Sequence, residues 1–472
     1  INIQLKKASA DAMAGKIDVN GGSYGSFEQN LNLKGTLDKL SYMLSLNNSQ
    51  SDGFSAAAES QPDDNFDQDG FKRNNALARI GYAFNDRFNL EVMSVYNTIE
   101  AEYDDAAYLD GDNVLKSDEL RFGIKPRFSY NKGNISLHAV YNVNHNDFQD
   151  SYPVKYEGRN LQADLINEHQ FTDALKGLFG INLQQASYEE QNISSFDDNN
   201  FLIIDPYASL LYESNFGFNV HIGTRLNNHN EYGSHFIYNV NPSYIFDVTN
   251  AIRLKLRGSV STAFITPSLY QLYSFVGNTD LKPEESTNYD AGLSLYISQA
   301  LSFNATYFIR DEEEVIDFVS QFDEQGNYVG GAYQNLQQER EIKGIELQMD
   351  WKIVRDLNFN AYFSQIDRDN SSTFYRIPEN KWGFELAWQP LEEGNLSLKY
   401  KRTGERTDID FVAGSDVVLD PYTVVDAYAD YQFFKKLKVY GAVNNLFDEQ
   451  FVTVWGFNTK GRNYNVGVSY TF

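Results

Sequence analysis

Residues 444–472 read NNLFDEQFVTVWGFNTKGRNYNVGVSYTF. From Arg462 onward the chain alternates without a slip. Tyr464, Val466, Val468, Tyr470 and Phe472 fall on one face, and Asn463, Asn465, Gly467, Ser469 and Thr471 on the other. Period two marks a strand with one apolar and one polar face. The strand is about ten residues long, which is what a tilted strand needs to cross a bilayer. Its aromatic end suits the girdle that anchors a barrel at the lipid–water boundary. The stretch therefore reads as the closing strand of a membrane β-barrel. An ordinary sandwich strand is the alternative that the rest of the chain has to exclude.

Working outward, the same alternation recurs from end to end. Leu301, Phe303, Ala305, Tyr307 and Ile309 alternate with Ser302, Asn304, Thr306 and Phe308; Leu357, Phe359, Ala361 and Phe363 alternate with Asn358, Asn360, Tyr362 and Ser364. The polar partners suit a hydrated lumen. Such segments number about 22. They lie at 15–23, 25–34, 38–50, 72–84, 86–99, 118–130, 132–147, 157–171, 173–188, 200–213 and 216–228. They continue at 234–246, 249–264, 286–298, 300–314, 338–351, 356–368, 379–390, 394–404, 420–433, 436–446 and 461–472. Tight turns, among them Gly25-Ser26, Asn85-Asp86, Asn131-Lys132-Gly133 and Thr249-Asn250, are set against long loops. The long set is 51–71, 100–117, 189–199, 264–285, 314–337, 369–378, 405–419 and 447–460. Short turns on one rim and long loops on the other define an outer-membrane barrel, with the long loops outside. A sandwich would not alternate so regularly.

Composition agrees. Of 472 residues, 32 are Tyr and 34 Phe, a surplus that fits two aromatic belts better than a soluble core. No run of eighteen apolar residues exists, which excludes a transmembrane helix. A mean hydropathy of −0.49 does not exclude a barrel, because only every second residue meets lipid. The net charge of −26 argues against a nucleic-acid partner. There is no cysteine, hence no disulfide framework and no thiol chemistry. The six histidines show no ligand spacing, and neither a nucleophile elbow nor a phosphate loop is present, so an enzyme is not expected.

Three motifs then occur in order. Residues 263–292 read AFITPSLYQLYSFVGNTDLKPEESTNYDAG; Tyr333-x-Asn335 leads to Gly344-x-Glu346; and Asn445-Leu446-Phe447-Asp448 lies near the end. Each has a purely structural reading: Pro283 fixes a bend, Gly344 permits a close approach, and Asn445 and Asp448 bond their own backbone in a turn. Jointly they resemble the TonB-dependent outer-membrane transporters. Within that family, Val452 to Tyr464 and Tyr270 to Asn278 are most similar to the members that carry cobalamin. The resemblance implies transport of a scarce large nutrient, cobalamin or, alternatively, a ferric siderophore. Its other partners would be outer-membrane lipid, TonB reached through an N-terminal plug, and a surface lipoprotein that the sequence does not identify. Ile1-Asn2-Ile3 looks like the end of the last plug strand. Residues 1–14 are thus read as the plug–barrel junction and 15–472 as the barrel, with the plug outside this chain. A plugless barrel acting as a passive pore is the alternative of another class.

Two loops are densely acidic: Asp63, Asp64, Asp67 and Asp69 in the first, and Asp104, Asp105, Asp110, Asp112, Asp118 and Glu119 in the second. Carboxylates at alternate loop positions can converge on a hard cation such as calcium. The segment after Tyr108 fits part of an EF-hand register, but Asn113 stands where glycine is usual and the flanks read as strands. The resemblance also implies calcium between two acidic outer loops, at Tyr103-Asp104 and Asp67-x-Asp69-Gly70-Phe71. The metal candidates are Asp67, Asp69, Asp104, Asp110, Asp112 and Glu119. A solvated acidic surface is the plainer reading. For the cargo, large loop aromatics that bury area at little entropy cost are the candidates: Tyr108, Phe196, Tyr273, Phe275, Tyr333, Trp455 and Phe457. Belt anchoring is the plainer reading of each.

Overall fold

A computed structural model describes residues 11–61, 65–191, 200–325, 328–368, 374–411 and 413–472. Twenty-two strands form one antiparallel sheet that closes on itself. In chain order it begins with β1 (Ala14–Gly22), β2 (Phe27–Leu37), β3 (Leu40–Phe54), β4 (Asp69–Ala83), β5 (Phe88–Tyr103), β6 (Asn113–Tyr130) and β7 (Gly133–Gln149). Next come β8 (Val154–Thr172), β9 (Leu175–Glu190), β10 (Asn200–Glu213), β11 (Phe218–His229), β12 (Gly233–Thr249) and β13 (Ile252–Ile265). A five-residue helix, α1 (Leu269–Tyr273), precedes β14 (Glu284–Ile297) and β15 (Leu301–Glu313). A separate hairpin, β16 (Ile316–Phe322) with β17 (Tyr328–Asn335), leads to β18 (Arg340–Val354), β19 (Leu357–Arg368), β20 (Asn380–Leu391) and β21 (Gly394–Thr403). A second hairpin, β22 (Arg406–Asp410) with β23 (Ser415–Leu419), precedes β24 (Tyr422–Phe433), β25 (Leu437–Asn444) and β26 (Asn463–Thr471).

Every segment read from the alternation is a barrel strand. What the alternation did not show are the two hairpins and α1, which stand in stretches read as plain loops. Alternation of connections also moves one turn. Ser23–Ser26 joins β1 to β2 on the rim that carries the long loops, so the tight Gly25-Ser26 turn belongs to the outer rim. Tyr24 and Gly25 both take left-handed φ, 61° and 59°, the primed turn that matches strand twist. Of the junction read at 1–14, residues 1–10 lie outside the described residues.

β26 pairs with β25 on one side and with β1 on the other, from Lys16–Thr471 to Gly22–Asn465. Its apolar face is turned outward: Val466 is 61% and Tyr464 51% exposed, as a face solvated by lipid must be. The opposite faces build a polar inner wall. Glu28 accepts from Asn20 (3.3 Å), Asn30 (3.0 Å) and Asn47 (3.0 Å). Asn465 donates to Asn20 (2.9 Å) and Tyr440 to Asp18 (2.8 Å), carrying that network across the seam. At the inner end of the seam Gly15 and Phe472 exchange backbone bonds of 2.7 and 2.9 Å. A Cβ on Gly15 would fall 2.2 Å from the Phe472 ring.

Gly15→Val is therefore expected to unseat Phe472 and weaken closure by about 1–3 kcal/mol, the usual cost of overpacking. Gly441→Ala is the control, since its Cβ meets nothing nearer than 3.7 Å. The thermal unfolding of the barrel, followed by gel mobility of unheated and heated samples, checks both.

Candidate functional site at the outer mouth

β5 ends at Tyr103, and the next residue, Asp104, is 8% exposed. Its Oδ2 accepts the Ala57 amide at 2.5 Å and its Oδ1 the Gly111 amide at 3.2 Å. One carboxylate thus ties the first acidic loop to the second. Asp69, the outermost residue of β4 and above the lipid band, accepts the Ala56 amide at 2.6 Å. Oxygens of Asp67, Asp104 and Asp110 all lie within 4.8 Å of one another. Asp112 stands against Asp67.

This crowding is electrostatically unfavourable without a cation. Burial pushes the Asp69 carboxyl up to about 6, aided by Asp104 and Asp67 and opposed by the Ala56 amide. Asp67 and Asp110 are raised by partial burial and then by the facing carboxylates. One oxygen each of Asp69 and Asp110 is buried and accepts no hydrogen bond. Orphaned acceptors converging with three more carboxylates are what a hard cation satisfies, so the donor set fits calcium.

Of the predicted metal residues, five gather here. Glu119 does not. It lies six residues along β6 from Asn113, roughly 20 Å at the strand rise, and is held by Arg121 and Asn97 on the inner wall. Its carboxylate serves the lumen because strand pairing carried it down the wall, away from the rim. Asp63 and Asp64 of the same acidic stretch lie outside the described residues.

A second buried carboxylate organises the neighbouring loops. Asp408 on β22 is fully buried, accepting from Arg376 Nε (2.8 Å) and from the amides of Trp455 (2.7 Å) and Ile409 (2.9 Å). Arg406 beside it is 4% exposed and donates to the carbonyls of Val452 and Asp420. The last loop, held this way, reaches back to the first. Ala57 and Phe457 form a β-bridge, Ala58 and Tyr108 donate to the Gly456 carbonyl, and the Asn458 amide donates to Ala56. Gly456 has φ 81°, and a Cβ there would meet Ala107 at 2.4 Å. Only glycine lets the strands of this knot approach.

Three predicted cargo aromatics meet at this knot: Tyr108 and Trp455 in edge contact (6.1 Å between centroids), with Phe457 beside them. Tyr333 stands elsewhere, in a chain of rings from Tyr156 and Tyr188 through Tyr270 to Tyr333 and Phe318. This wall crosses from β8 and β9 to α1 and the β16–β17 hairpin. Tyr273 is half-buried on α1, and Phe275 is 74% exposed just after it. Phe196 lies outside the described residues. Sequence reading missed Ala57 and Gly456, whose role is backbone contact, Asn458, whose side-chain amide donates to the Ser55 and Ala57 carbonyls, and Arg376, Arg406 and Asp408, which fall in stretches read as plain loops. Tyr156 and Tyr188 were missed as well, since no pattern within one strand shows which rings meet across strands.

Short inner turns, a lipid-facing apolar band and an ordered outer mouth define a large outer-membrane transport barrel. Residues 13–446 match the model of the family described as "TonB dependent receptor-like, beta-barrel", and the chain belongs to that family. It is a family of receptors and transporters rather than enzymes. Among curated relatives, the "Vitamin B12 transporter BtuB" of Photobacterium profundum is 26% identical over 470 residues, covering 97% of this chain and 74% of that one. The protein of that name from Vibrio cholerae serotype O1 is 23% identical over 427 residues, covering 86% and 65%. Solved structures share the fold at low identity. The siderophore receptor PirA from Acinetobacter baumannii gives a TM-score of 0.80 at 15% identity, covering 99% of this chain and 81% of that one. The copper transporter OprC gives 0.82 at 15%, with the same coverage.

Asp408→Ala is expected to loosen the last loop by about 1–3 kcal/mol, the cost of leaving its donors unpaired. Hydrogen exchange should rise at Trp455 and neighbouring amides while the barrel unfolding temperature holds. A second expectation concerns pH in chelator. Asp67, Asp69 and Asp110 bind more protons in the closed loops than in open ones, so closure is favoured at low pH. It is lost as pH rises through about 6, the Asp69 value. Proteolysis between 55 and 68, normalised to a denatured substrate, should be slower at pH 5 than at pH 8.

Proposed function

We propose that this barrel captures a corrinoid of the cobalamin type at its outer mouth, on loops ordered by calcium. The observation that carries the reading is the convergence of Asp67, Asp104 and Asp110, with orphaned oxygens on Asp69 and Asp110, beside the Tyr108–Trp455–Phe457 knot. Asp67, Asp69, Asp104, Asp110 and Asp112 would hold the ion, which supplies positive charge and fixes the two acidic loops against each other. The protein's own part is then positional. Asp104 holds the first loop to the second, Gly456 holds the last loop to both, and Tyr108 and Trp455 present flat amphipathic surface to a large ligand. The names of the curated relatives support the cargo. Energised release through a plug and TonB is the part of the reading that family membership supports.

A ferric siderophore is the competing cargo, favoured by the tyrosine wall of Tyr156, Tyr188, Tyr270 and Tyr333, which suits planar aromatic chelators. Calorimetry on the outer-membrane protein in detergent separates the two. Cobalamin should bind tightly in calcium and at least tenfold more weakly in chelator or in Asp110→Asn. Equal affinity in calcium and chelator would remove the ion from the account. Binding of a ferric siderophore with no binding of cobalamin would overturn the cargo.

A further inference from the structure

Asn278 and Tyr333 are 55 residues apart in the chain, in two different sequence motifs, yet they meet in the structure. The Asn278 side-chain amide donates to the Tyr333 carbonyl at 2.9 Å, and the Tyr333 amide donates to the Val276 carbonyl at 3.3 Å. Both backbone groups of Tyr333 are thus taken by one short segment. Two residues on, Asn335 accepts the Lys282 amide (2.8 Å) and donates to the carbonyls of Lys282 (2.9 Å) and Glu314 (2.6 Å). Glu314 has a left-handed φ of 52°, so the same side chain holds the sharp turn from β15 into β16. Glu284 accepts the Ile316 amide at 2.8 Å, and Lys282 Nζ lies 2.9 Å from Glu314. Leu269, Leu272, Leu281 and Val315 are buried as well. The loop 266–283 and the β16–β17 hairpin are therefore clasped into one body.

Spacing gives the Tyr-x-Asn motif its physical sense. Residues two apart in a strand share a face, so β17 sets the Tyr333 ring on the same side as the Asn335 amide that grips the loop. Tyr333 then meets Tyr270 edge-on, 6.3 Å between centroids. Tyr270 is fixed in turn by α1, which is closed by the reciprocal Ser268–Gln271 cap, and the Asn278 amide donates to Gln271 at 2.8 Å. From Tyr270 the rings run on through Tyr156 (6.1 Å) and Phe148 (5.7 Å) to Tyr103 (6.4 Å), the residue before Asp104. One arc of rings thus joins the hairpin to the acidic loops. We propose that Asn278 and Asn335 are positioning residues for cargo capture. They touch no cargo themselves; they hold Tyr333 against Tyr270 and so complete the arc on which a large ligand lies. This role rests on capture of cargo at the outer mouth, as proposed above. Without the two amides the hairpin would lose its hold on the loop, and Tyr333 would sample positions away from Tyr270.

The test is a double-mutant cycle on the outer-membrane protein in detergent and calcium, titrated with cyanocobalamin and with a ferric catecholate siderophore. For the probe that wild type binds, Asn335→Ala and Tyr333→Ala should each weaken affinity about tenfold. Asn335→Asp keeps the acceptor for the Lys282 amide but loses both donors, so it should fall between Asn335→Ala and wild type. The double variant should bind no more weakly than Tyr333→Ala alone, because the asparagine acts through the ring; a merely structural role predicts losses that add. A second arm needs no cargo. With spin labels at Thr279→Cys and Val329→Cys, the distance distribution should be narrow in the otherwise wild-type protein and broad once Asn278→Ala and Asn335→Ala are added. Unchanged affinity in Asn335→Ala, additive losses in the cycle, or a distribution equally narrow without the two asparagines would each overturn the positioning role. Siderophore binding in place of cobalamin would overturn the corrinoid reading alone, and the cycle would then be read on the siderophore.

Discussion

No water is available in hydrocarbon to satisfy a backbone N–H or C=O, so a sheet that enters lipid has to close. Here closure rests on the pairing of β26 with β1, from Gly22–Asn465 down to the Gly15–Phe472 exchange. The rest of the architecture follows from that constraint. Once both edges are paired, side chains alternate between lipid and lumen with no freedom to slip, because a slip of one residue would turn Val466 and Val468 inward and Asn465 and Ser469 to lipid. The polar inner network through Glu28, Asn20 and Asn465 can then span the seam as it spans any other strand pair.

Above the membrane the constraint is reversed. Water is available, and loops are ordered only where something repays their entropy. Two buried carboxylates do this. Asp104 gathers amides from two loops and Asp408 gathers an arginine and two amides from three others, so five outer connections are interlocked around two anions. Asp408 is matched by donors. Asp104 sits among Asp67, Asp69 and Asp110, whose raised pKa, together with the orphaned oxygens of Asp69 and Asp110, marks a charge excess that a cation would cancel. The order of the mouth therefore depends on charge balance at these two anions, while the barrel beneath is fixed by hydrogen bonding.

This division explains what could be read from sequence. Alternation such as Leu301 to Ile309 needs no knowledge of partners, so the barrel strands were legible one by one, and neighbouring strands pair in chain order. The acidic loops were legible as composition, and Asp67, Asp104 and Asp110 do meet. Glu119 was drawn in by the partial EF-hand register of the second loop, although β6 had already begun at Asn113 and carried it down the wall. The Asp408 clasp and the Ala57–Phe457 bridge were not legible, since they join residues far apart in the chain through backbone groups that no side-chain pattern records. The β16–β17 and β22–β23 hairpins are short and have no lipid-facing stripe to betray them.

We propose that a divalent ion at the acidic cluster sets the order of the interlocked loops. Because the chain has no cysteine, spin labels can be placed without background at Glu59→Cys in the first loop and Thr453→Cys in the last. Pulsed dipolar spectroscopy would then give the distance distribution between the loops. The account predicts a narrow distribution in calcium, a broad one in chelator, and a broad one in both conditions for Asp104→Ala. A distribution that is the same with and without calcium would contradict it.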